Sequence, residues 1–494
     1  MPTQRNPWLA LGALVVGFFM ILLDVTIVAV ANPAIMADLH ADISEVIWVT
    51  SAYLLTYAVP LLITGRLGDR FGPKNIYLLG LAVFTLSSLA CGLAGDIETL
   101  IAARAVQGLG AALMTPQTMA VITRTFPPDR RGAAMGMWGA VAGLATLVGP
   151  ILGGVLVDGL GWAWIFIVNV PVGVVAFALA VWLVPSLPTH EHKFDLVGVV
   201  LSAVGMFLLV FGIQEGNTSD WSAKIWAMIA AGIVVLAVFV VTQARGSGEP
   251  LLPLPLFRDR NFSLSNLAIA SMGAAVTAVM VPIYFYLQAV HGMSPTRSAL
   301  VLAPMAVVTG FAAPVIGRLS DRMHPRIIPT IGFFTFAISI FWFALVMRDP
   351  HANITWMVVA GAVAGASNAC IWAPLATTAT HNLPISQAGA GAGVYNTTRQ
   401  VGSVLGSAAI SALIAARMSA AGLGDAPAGE GMGSGQVPEP VKQAFSTALS
   451  QATLLPAALL LVGVIASALF IRFVPTGAPT RDAAAVNKAD SLTG

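Results

Sequence analysis

Charged residues are scarce in this sequence. Only 9% of its 494 residues are Asp, Glu, Lys or Arg, whereas 57% are hydrophobic, and the mean hydropathy is +0.85. Soluble domains carry about 25% charged residues. The formal net charge is only +2, and no long basic run is present to form a patch for nucleic acid. The composition therefore excludes a soluble domain and a nucleic-acid partner, and it predicts a membrane protein.

Cysteines and cofactor-binding motifs are equally scarce. The two cysteines, Cys91 and Cys370, stand alone in apolar runs, which excludes a disulfide framework and favours packing roles. The seven histidines fall in predicted loops or at helix edges, so we expect no metal site. The sequence has no Walker-type phosphate loop, the usual signature of ATP-driven transport. We therefore predict no cofactor.

Long apolar runs dominate the chain instead. A helix needs about 20 residues to cross a bilayer. The fourteen predicted spans are residues 8–31, 45–65, 75–95, 99–122, 132–157, 164–184, 196–214, 222–243, 262–288, 297–317, 327–347, 353–378, 386–416 and 450–473. With the N-terminus inside, most of the 24 Lys and Arg residues fall on the side that becomes cytoplasmic, as the positive-inside rule requires. The sequence predicts an all-α polytopic protein of the plasma membrane with both termini in the cytoplasm.

One short charged pattern occurs twice. GRLGDR at residues 65–70 returns as GRLSDR at residues 317–322, a separation of about eight units if each helix with its loop takes about 30 residues. This offset predicts two parallel six-helix repeats with two helices inserted between them, an architecture that supports alternating access. The predicted segments are 1–190 for the N-terminal six-helix bundle, 191–250 for the two inserted helices, 251–474 for the C-terminal six-helix bundle with an outer loop near 418–440, and 475–494 for a disordered cytoplasmic tail.

Several segments carry a family resemblance. The segments GRLGDRFGPK at 65–74, LIAARAVQGLGAA at 100–112 and GLATLVGPILGG at 143–154 resemble motifs A, B and C of the major facilitator superfamily. The segment LDVTIVAVANPAI at 23–35 resembles the first-helix motif of its 14-helix drug:proton antiporter (multidrug efflux) branch. The resemblance implies the major facilitator fold with 14 transmembrane helices. It also implies a secondary active transporter, not an enzyme, that exports small amphiphilic or drug-like compounds by proton antiport through alternating access.

By this resemblance, the repeated pattern latches the two halves of the transporter together when the inner gate is closed. Glycines permit tight turns and close backbone approach, and the charged side chains can pair between helix ends. The predicted latch residues are Gly65, Asp69, Arg70 and Gly72 in the first copy and Arg318, Asp321 and Arg322 in the second. A solvated cytoplasmic loop is the alternative interpretation. It accounts for the basic residues but not for Asp69 or for the repetition.

Asp24 is an acidic residue placed well inside a predicted span. A carboxylate there costs about 2.5 to 3.5 kcal/mol on insertion scales, so we expect a partner. At 1.5 Å of rise per residue, Arg104 on the fourth span lies at a similar depth. Protonation of Asp24 would break such a pair, which predicts a proton-sensitive two-state element. A static pair that only fixes packing is the alternative.

The remaining candidates belong to the antiporter helix or to a substrate cavity. The resemblance associates export by antiport with Gly143, Gly149, Pro150, Gly153 and Gly154, for which close glycine packing is the alternative interpretation. The cavity candidates are polar or aromatic residues within or beside spans: Gln107, Gln117, Trp138, Asn169, Tyr284, Tyr286, Gln288, Asn368, Trp372, Asn396, Arg399 and Gln400. Arg399 has no acidic residue at a similar depth and is suited to an anionic group.

The substrate class stays open at this level. The C-terminal half offers no intramembrane carboxylate, which disfavours cationic drugs and leaves neutral amphiphiles, anionic metabolites and lipids. A proton-coupled importer, or a lipid or metabolite transporter of the same fold, is the alternative function. A membrane enzyme would need paired catalytic groups at one depth, which only Asp24 and Arg104 supply. The expected partners are protons, a small amphiphilic substrate and membrane lipids, and we expect a monomer.

Overall fold

The protein is helical throughout the described residues. The computed structural model describes residues 6–41, 43–127, 130–189, 195–216, 219, 221–245, 250–384, 387–421 and 439–472. The first eight helices are α1 Pro7–Asp38, α2 Ile43–Ala58, α3 Leu61–Phe71, α4 Pro73–Gly92, α5 Ile97–Thr125, α6 Arg131–Leu160, α7 Trp164–Ile167 and α8 Asn169–Leu183. The remainder are α9 Leu196–Gln214, α10 Ala223–Arg245, α11 Arg260–Phe285, α12 Pro295–Ser320, α13 Ile327–Val346, α14 Thr355–Thr380, α15 Ala388–Ala420, α16 Glu439–Ala452 and α17 Leu454–Ala468.

The helices are long and apolar enough to cross a bilayer. Within the described ranges, twelve candidate spans pass on length and composition, and the bent pair α2–α3 raises the number to 13. Helix α6, with 30 residues, is a further long helix that this count leaves out, since it includes positions whose surroundings are not described. The prediction of an all-α polytopic membrane protein is confirmed, and most predicted span boundaries lie within a few residues of the observed helix ends.

Two predicted boundaries need correction. The outer loop after the first span begins later than the predicted end of that span at residue 31, because α1 continues to Asp38. The second span is not one straight helix, since it breaks between Ala58 and Leu61 with a bend of 48°. Pro60 lies at the break, and a proline that lacks an N–H and crowds the preceding turn ends or kinks a helix. As a result the first charged pattern forms the end of α3, not a loop.

Two interfaces join the N-terminal and C-terminal halves of the chain. Helix α3 of the first half packs against α15 of the second, and α12 of the second half packs against α6 of the first. The two interfaces correspond to each other, because α3 and α12 each end in one copy of the charged pattern. The halves therefore meet through reciprocal contacts of the repeated segments.

The helices α9 and α10 form an antiparallel pair beside this interface. They pack on each other around Gly205 and Gly232, where a side chain would strike the facing helix. Helix α9 also contacts α2 and α15, and Ile213 of α9 packs near Val404 of α15. The pair therefore lies against the seam between α2 and α15.

Several predicted features lie partly or wholly outside the description. The expected outer loop near 418–440 is helical at its ends, because α15 reaches Ala420 and α16 begins at Glu439, and the part between is not described. The predicted tail 475–494 lies wholly outside the described residues. The division of the chain into two bundles with an inserted pair stays a prediction.

Candidate functional site

Asp24 and Arg104 form a buried ion pair. Asp24 lies on α1 and Arg104 on α5, and both side chains are fully buried. The Arg104 Nη1 donates to the Asp24 Oδ2 at 2.5 Å, as the comparison of their depths predicted. Since each charge is removed from water, the pair offsets a cost that neither group could carry alone.

Two amides complete the shell of Asp24. The Gln107 Nε2 donates to the Asp24 Oδ1 at 2.9 Å, and its Oε1 accepts from the Arg104 Nη1 at 2.6 Å. The Asn169 Nδ2 reaches the same Oδ1 at 3.4 Å. Both amides also donate to the Ser88 Oγ, at 3.2 and 3.1 Å. Asp24 therefore accepts from three donors that lie on α5 and α8.

The Arg104 guanidinium is held from a further side by α2. Its Nε donates to the Val49 carbonyl at 3.0 Å, and its carbon lies 4.2 Å from the centroid of the Tyr53 ring. A buried cation over an aromatic face gains about 2 kcal/mol. The Tyr53 hydroxyl has no hydrogen-bond partner among the described residues. The aromatic face of Tyr53 is therefore the group that contacts Arg104.

This arrangement has a chemical consequence for protonation. An ionised Asp24 accepts from the Arg104 Nη1, the Gln107 Nε2 and the Asn169 Nδ2. The Arg104 Nη2 has no hydrogen-bond partner among the described residues, and arginine carries no acceptor. If Asp24 were protonated, one of its carboxyl oxygens would become a donor beside Arg104. The nearby Gln107 Oε1 already accepts from Arg104. The contacts of Asp24 are therefore those of a carboxylate that accepts at both of its oxygens.

Asp69 joins the two halves of the chain at the end of α3. Its carboxylate accepts from the backbone N–H groups of Gly389 at 2.9 Å and Ala390 at 2.8 Å, and it forms an ion pair with Arg124 at the end of α5. Gly389 and Ala390 begin α15, where unpaired N–H groups and the positive end of the helix dipole favour an anion. Asp69 thus caps a helix of the opposite half.

Asp321 makes the reciprocal contact from the second half. It follows α12, and its carboxylate accepts from the N–H groups of Gly132 at 2.8 Å and Ala133 at 3.2 Å, at the start of α6. Glycines permit both contacts. A Cβ on Gly65 would strike the Gly389 carbonyl, and one on Gly317 would strike the Gly132 carbonyl. The repeated pattern therefore performs the same contact twice.

The other predicted latch residues are placed as follows. Gly72 has a φ of +88° in the turn between α3 and α4, a conformation that favours glycine. Arg70 lies over the Phe71 ring. Arg318 and Arg322 are exposed at the end of α12. The side-chain cation that pairs with Asp69 lies outside the motif, on α5.

Arg131 strengthens the same end of the molecule. Its guanidinium donates to the Thr123 carbonyl at 2.7 Å and to the Thr380 carbonyl at 3.0 Å, which joins the C-terminal ends of α5 and α14. A cation suits the negative end of a helix dipole. Burial and the nearby Arg131 lower the pKa of the His381 imidazole, so this imidazole is neutral at neutral pH.

The antiporter helix α6 packs closely on α1. A Cβ on Gly149 would strike the Thr26 hydroxyl, two residues from Asp24. Gly153 is buried and Gly154 is partly buried on the same helix. Gly143 and Pro150 lie at positions of α6 whose surroundings are outside the description. The predicted close approach is therefore seen at Gly149.

A cavity of about 390 Å³ lies between the halves. Residues of α1, α2, α9, α11 and α15 line it. Its polar lining residues are Ser51, Tyr57, Gln214, Thr277, Arg399, Gln400, Ser403 and Ser407. The Arg399 Nη2 donates to the Tyr57 hydroxyl at 3.2 Å, which lies 3.2 Å from the Thr115 hydroxyl. Volumes of about 300 to 1,000 Å³ are typical of small-molecule sites.

Most of the cavity candidates lie outside this cavity and bond or pack between helices, as expected for many such residues. Gln107 and Asn169 belong to the Asp24 cluster. Gln117 holds α5 to α3 through the Thr64 carbonyl at 2.8 Å. Trp138 stacks on Phe18 at 4.5 Å. These side chains pack or bond within the helix bundle, although the Gln117 Oε1 and the Trp138 Nε1 have no hydrogen-bond partner among the described residues.

The remaining candidates divide between packing positions and the cavity. Asn396 is fully buried and donates to the Ala392 carbonyl on its own helix at 2.9 Å. Arg399 and Gln400 line the cavity. Tyr284 and Trp372 pack against the hydrophobic core. The Tyr286 hydroxyl donates to the Asp349 carbonyl. Gln288 lies on the π-helical turn Tyr286–Val290, and Asn368 lies on α14.

The sequence analysis missed several residues of these sites. Arg124 was not singled out, and Gln214 was only the last residue of the predicted span 196–214. Tyr53 and Tyr57 are four residues apart on a predicted span, which places them on one helix face. This spacing was the available signal for α2, whereas the contacts of Arg124 and Gln214 depend on tertiary packing.

Comparisons with known proteins agree with this architecture. The model of the Major Facilitator Superfamily matches residues 14–407. An uncharacterized MFS-type transporter of Mycobacterium tuberculosis, Rv1250, is 53% identical over 96% of this chain and 82% of its own length. The tetracenomycin C resistance and export protein of Streptomyces glaucescens is 36% identical over 84% of this chain and 77% of its own length.

Further relatives and one solved structure extend the agreement. The multidrug resistance protein Stp of Mycobacterium tuberculosis is 33% identical over 84% of this chain and 78% of its own length. The crystal structure of the human organic anion transporter MFSD10 matches the fold with a TM-score of 0.62 at 14% identity, over 93% of this chain and all of that one. The family prediction, with relatives among multidrug and antibiotic exporters, is confirmed. The chain belongs to the major facilitator superfamily of membrane transporters.

Proposed function

We propose that this protein is a proton-coupled exporter of small amphiphilic or drug-like compounds, with 14 transmembrane helices. The buried Asp24–Arg104 pair carries the proposal, because a carboxylate inside a span that is surrounded by donors changes state when it takes up a proton. Helix α6 supplies the fourteenth span, and α9 with α10 the inserted pair. The protein lies in the plasma membrane as a monomer with both termini in the cytoplasm.

The proton step follows from the contacts of Asp24. The ionised carboxylate holds Arg104, Gln107 and Asn169 together and so joins α1, α5 and α8. A proton on Asp24 cancels the attraction to Arg104 and releases α1. Removing one partner of a buried pair costs about 3 to 5 kcal/mol, which is enough to shift an equilibrium between two conformations.

The gate gives the transport cycle its second element. In this conformation Asp69 and Asp321 cap helices of the opposite halves, so the molecule is closed at that end. The cavity at Arg399 then communicates with the opposite side of the membrane. With the N-terminus in the cytoplasm, the closed end is cytoplasmic and the conformation is outward-facing.

A continuous set of side chains links the proton site to the cavity. Tyr53 lies under Arg104, and its ring centroid is 6.0 Å from that of Tyr57 on the same face of α2. Tyr57 contacts Arg399. Helix α2 therefore contacts both sites, and movement of Arg104 is transmitted through one rigid helix face.

The export direction is supported by the relatives. One relative is described as a tetracenomycin C resistance and export protein and another as a multidrug resistance protein. The alternative is a proton-coupled importer, or a lipid or metabolite transporter of the same fold. Measurement of the direction of transport distinguishes export from import.

The test is uptake into inverted membrane vesicles with an imposed inside-acid proton gradient. The probes are cationic ethidium, neutral N-phenyl-1-naphthylamine and anionic 8-anilinonaphthalene-1-sulfonate. We expect gradient-dependent uptake of at least one probe by the wild-type protein. Asp24→Asn should abolish this dependence while retaining binding of the probe, because asparagine imitates the neutral carboxyl.

A matched variant keeps this test specific. Asp96 is an exposed aspartate that caps its own helix α5 through the Thr99 N–H at 2.7 Å, so Asp96→Asn changes the same functional group outside the proposed machinery. It should transport like the wild type. Normal gradient-driven uptake by Asp24→Asn would overturn the coupling role. Uptake found only in right-side-out vesicles would favour the importer.

A further inference from the structure

We propose that the cavity between the halves binds an amphiphile with one anionic group at Arg399, and that Gln214 of α9 is a specificity residue for it. This proposal rests on the proposed function, because it names the substrate class of that transport site.

Arg399 carries a charge that the described residues do not neutralise. No carboxylate of the described chain lies within ion-pair distance of it, in contrast to Arg104. Its Nη2 contacts only the neutral Tyr57 hydroxyl, and its Nε is buried without a partner among the described residues. An uncompensated charge at this depth in a membrane span is costly. An anion bound to the free edge of the guanidinium would lower that cost.

The hydrogen bonds around Tyr57 keep the guanidinium in place. Tyr57 accepts from Arg399, so its own proton is directed to Thr115, and the Thr115 hydroxyl donates to the Ala111 carbonyl at 2.9 Å. This series of hydrogen bonds orients one edge of the Arg399 guanidinium and leaves the other edge for a ligand. The planar fork of arginine suits carboxylate, sulfonate or phosphate oxygens.

The remaining lining fits an amphiphile with a negative charge and not a cation. The described lining residues include no Asp or Glu, so a cationic compound would meet Arg399 without a compensating charge. Ser51, Gln400 and Ser403 add neutral polar groups. Ile21, Leu22 and Leu54 form an apolar wall on α1 and α2, which suits an aromatic or aliphatic body.

Gln214 contributes a second, independent observation. It is the last residue of α9 and lines the cavity, and its Oε1 is buried without a hydrogen-bond partner among the described residues. A buried amide oxygen without a partner is destabilising, because it has lost its hydrogen bonds to water. Since it faces the same cavity as Arg399, we infer that a polar, non-ionic group of the substrate satisfies it. The α9–α10 pair thereby supplies part of the binding site.

The test compares two probes that share one ring system. 8-Anilinonaphthalene-1-sulfonate carries a sulfonate that N-phenyl-1-naphthylamine lacks. Binding of each to the full-length protein in nanodiscs of zwitterionic lipid is measured by fluorescence titration, with empty nanodiscs subtracted. We expect the sulfonate to bind at least about ten-fold more tightly than the neutral probe, and Arg399→Gln to weaken only the sulfonate, by at least about ten-fold.

Three further variants and a folding measurement make the result specific. Arg399→Lys retains the charge without the fork and should restore part of the affinity for the sulfonate. Gln214→Glu places a carboxylate beside the site and should weaken the sulfonate at least about ten-fold, with the neutral probe changed less than about two-fold. Gln443→Glu adds the same charge at an exposed position of α16 and should change neither. Thermal unfolding of each variant in nanodiscs establishes that it is folded.

The outcomes separate this site from the proposed function. Equal affinity of the wild type for the two probes, equal loss of both in Arg399→Gln, or binding of neither probe overturns the anion site. An unchanged sulfonate affinity in Gln214→Glu overturns the role of α9. Arg399-dependent binding of the sulfonate without gradient-driven uptake leaves this site standing and overturns proton-coupled export. Gradient-driven uptake of ethidium or of the neutral probe, without a preference for the sulfonate, supports proton-coupled export and overturns the anion site.

Discussion

The gate contact of Asp69 predicts how the two conformations of the transporter are balanced. The carboxylate accepts two backbone N–H groups from the start of α15, at 2.9 and 2.8 Å, and pairs with Arg124. Asp69→Asn removes the charge, and its amide can accept only through one oxygen. Hydrogen bonds to charged groups contribute about 1.5 to 3 kcal/mol each, and a helix N-terminus up to about 2 kcal/mol more.

We therefore expect Asp69→Asn to destabilise the closed gate by about 2 to 3 kcal/mol relative to the open one. At about 1.4 kcal/mol per factor of ten, the ratio of open to closed molecules rises about 30- to 150-fold. Spin labels at Asn75 and Arg322, both exposed at this end, measure the separation of the halves by electron–electron double resonance. Cys91 and Cys370 are first replaced. The population at longer distances should grow in Asp69→Asn.

Asp195 provides the matched control for this measurement. It also caps a helix N-terminus, accepting from the Gly198 N–H at 2.8 Å, but it caps its own helix α9 and does not join the halves. Asp195→Asn should leave the label distances unchanged. An unchanged distribution in Asp69→Asn, or an equal shift in Asp195→Asn, would refute the assignment of the gate contact.

Three further predictions concern close contacts. Gly65→Ala should open the same gate, because its Cβ would strike a backbone carbonyl at the start of α15. Gly12→Ala should leave the gate closed, because no atom lies within 4 Å of the position of its Cβ. The same spin labels measure both outcomes. Gly149→Ala should reduce gradient-driven uptake several-fold. Thr26→Ala in the same chain should restore part of it, because this change removes the hydroxyl that the new Cβ would strike but keeps the Thr26 Cβ at 2.8 Å from it; the absence of any rescue would contradict this packing. Tyr53→Leu should lower gradient-driven uptake about ten-fold or more, because it removes the aromatic face under Arg104. Tyr53→Phe should remain active, because the hydroxyl has no partner among the described residues. Equal loss of uptake in both variants would contradict the role of the ring.

The sequence predicted the positions of the helices well because apolar length is a strong signal. It failed where a helix continues beyond its most apolar part, as α1 does to Asp38. It also ended the second span at Gly65, although the helix continues through Asp69 to Phe71. A change from apolar to charged residues marks the edge of a bilayer, whereas a helix ends where its backbone hydrogen bonds end.

The candidate site was predictable only in part, for a related reason. The Asp24–Arg104 contact followed from depth alone, because both residues need a partner and a helix rises by a constant amount per residue. The depth of a polar residue does not tell which helix it faces. Gln107 and Asn169 were therefore expected in a cavity, yet they belong to the shell of Asp24. The contact between Asp69 and the start of α15 depends on backbone N–H groups, which carry no sequence signature.

The placement of charge within the membrane explains why α2 has a central position in the proposed mechanism. The paired charges of Asp24 and Arg104 lie among helices that precede residue 190, whereas the uncompensated charge of Arg399 lies on α15. A proton and a substrate are coupled when both shift the same equilibrium between conformations, each by its differential affinity for the two states. An element that contacts both sites offers a direct route for this coupling. Tyr53 and Tyr57 give α2 contacts with both. Helix α9 packs on the same seam and presents Gln214 to the cavity, so any separation of α2 from α15 also changes the substrate site. Proton uptake at Asp24 and loss of affinity at Arg399 are therefore expected to occur in one movement.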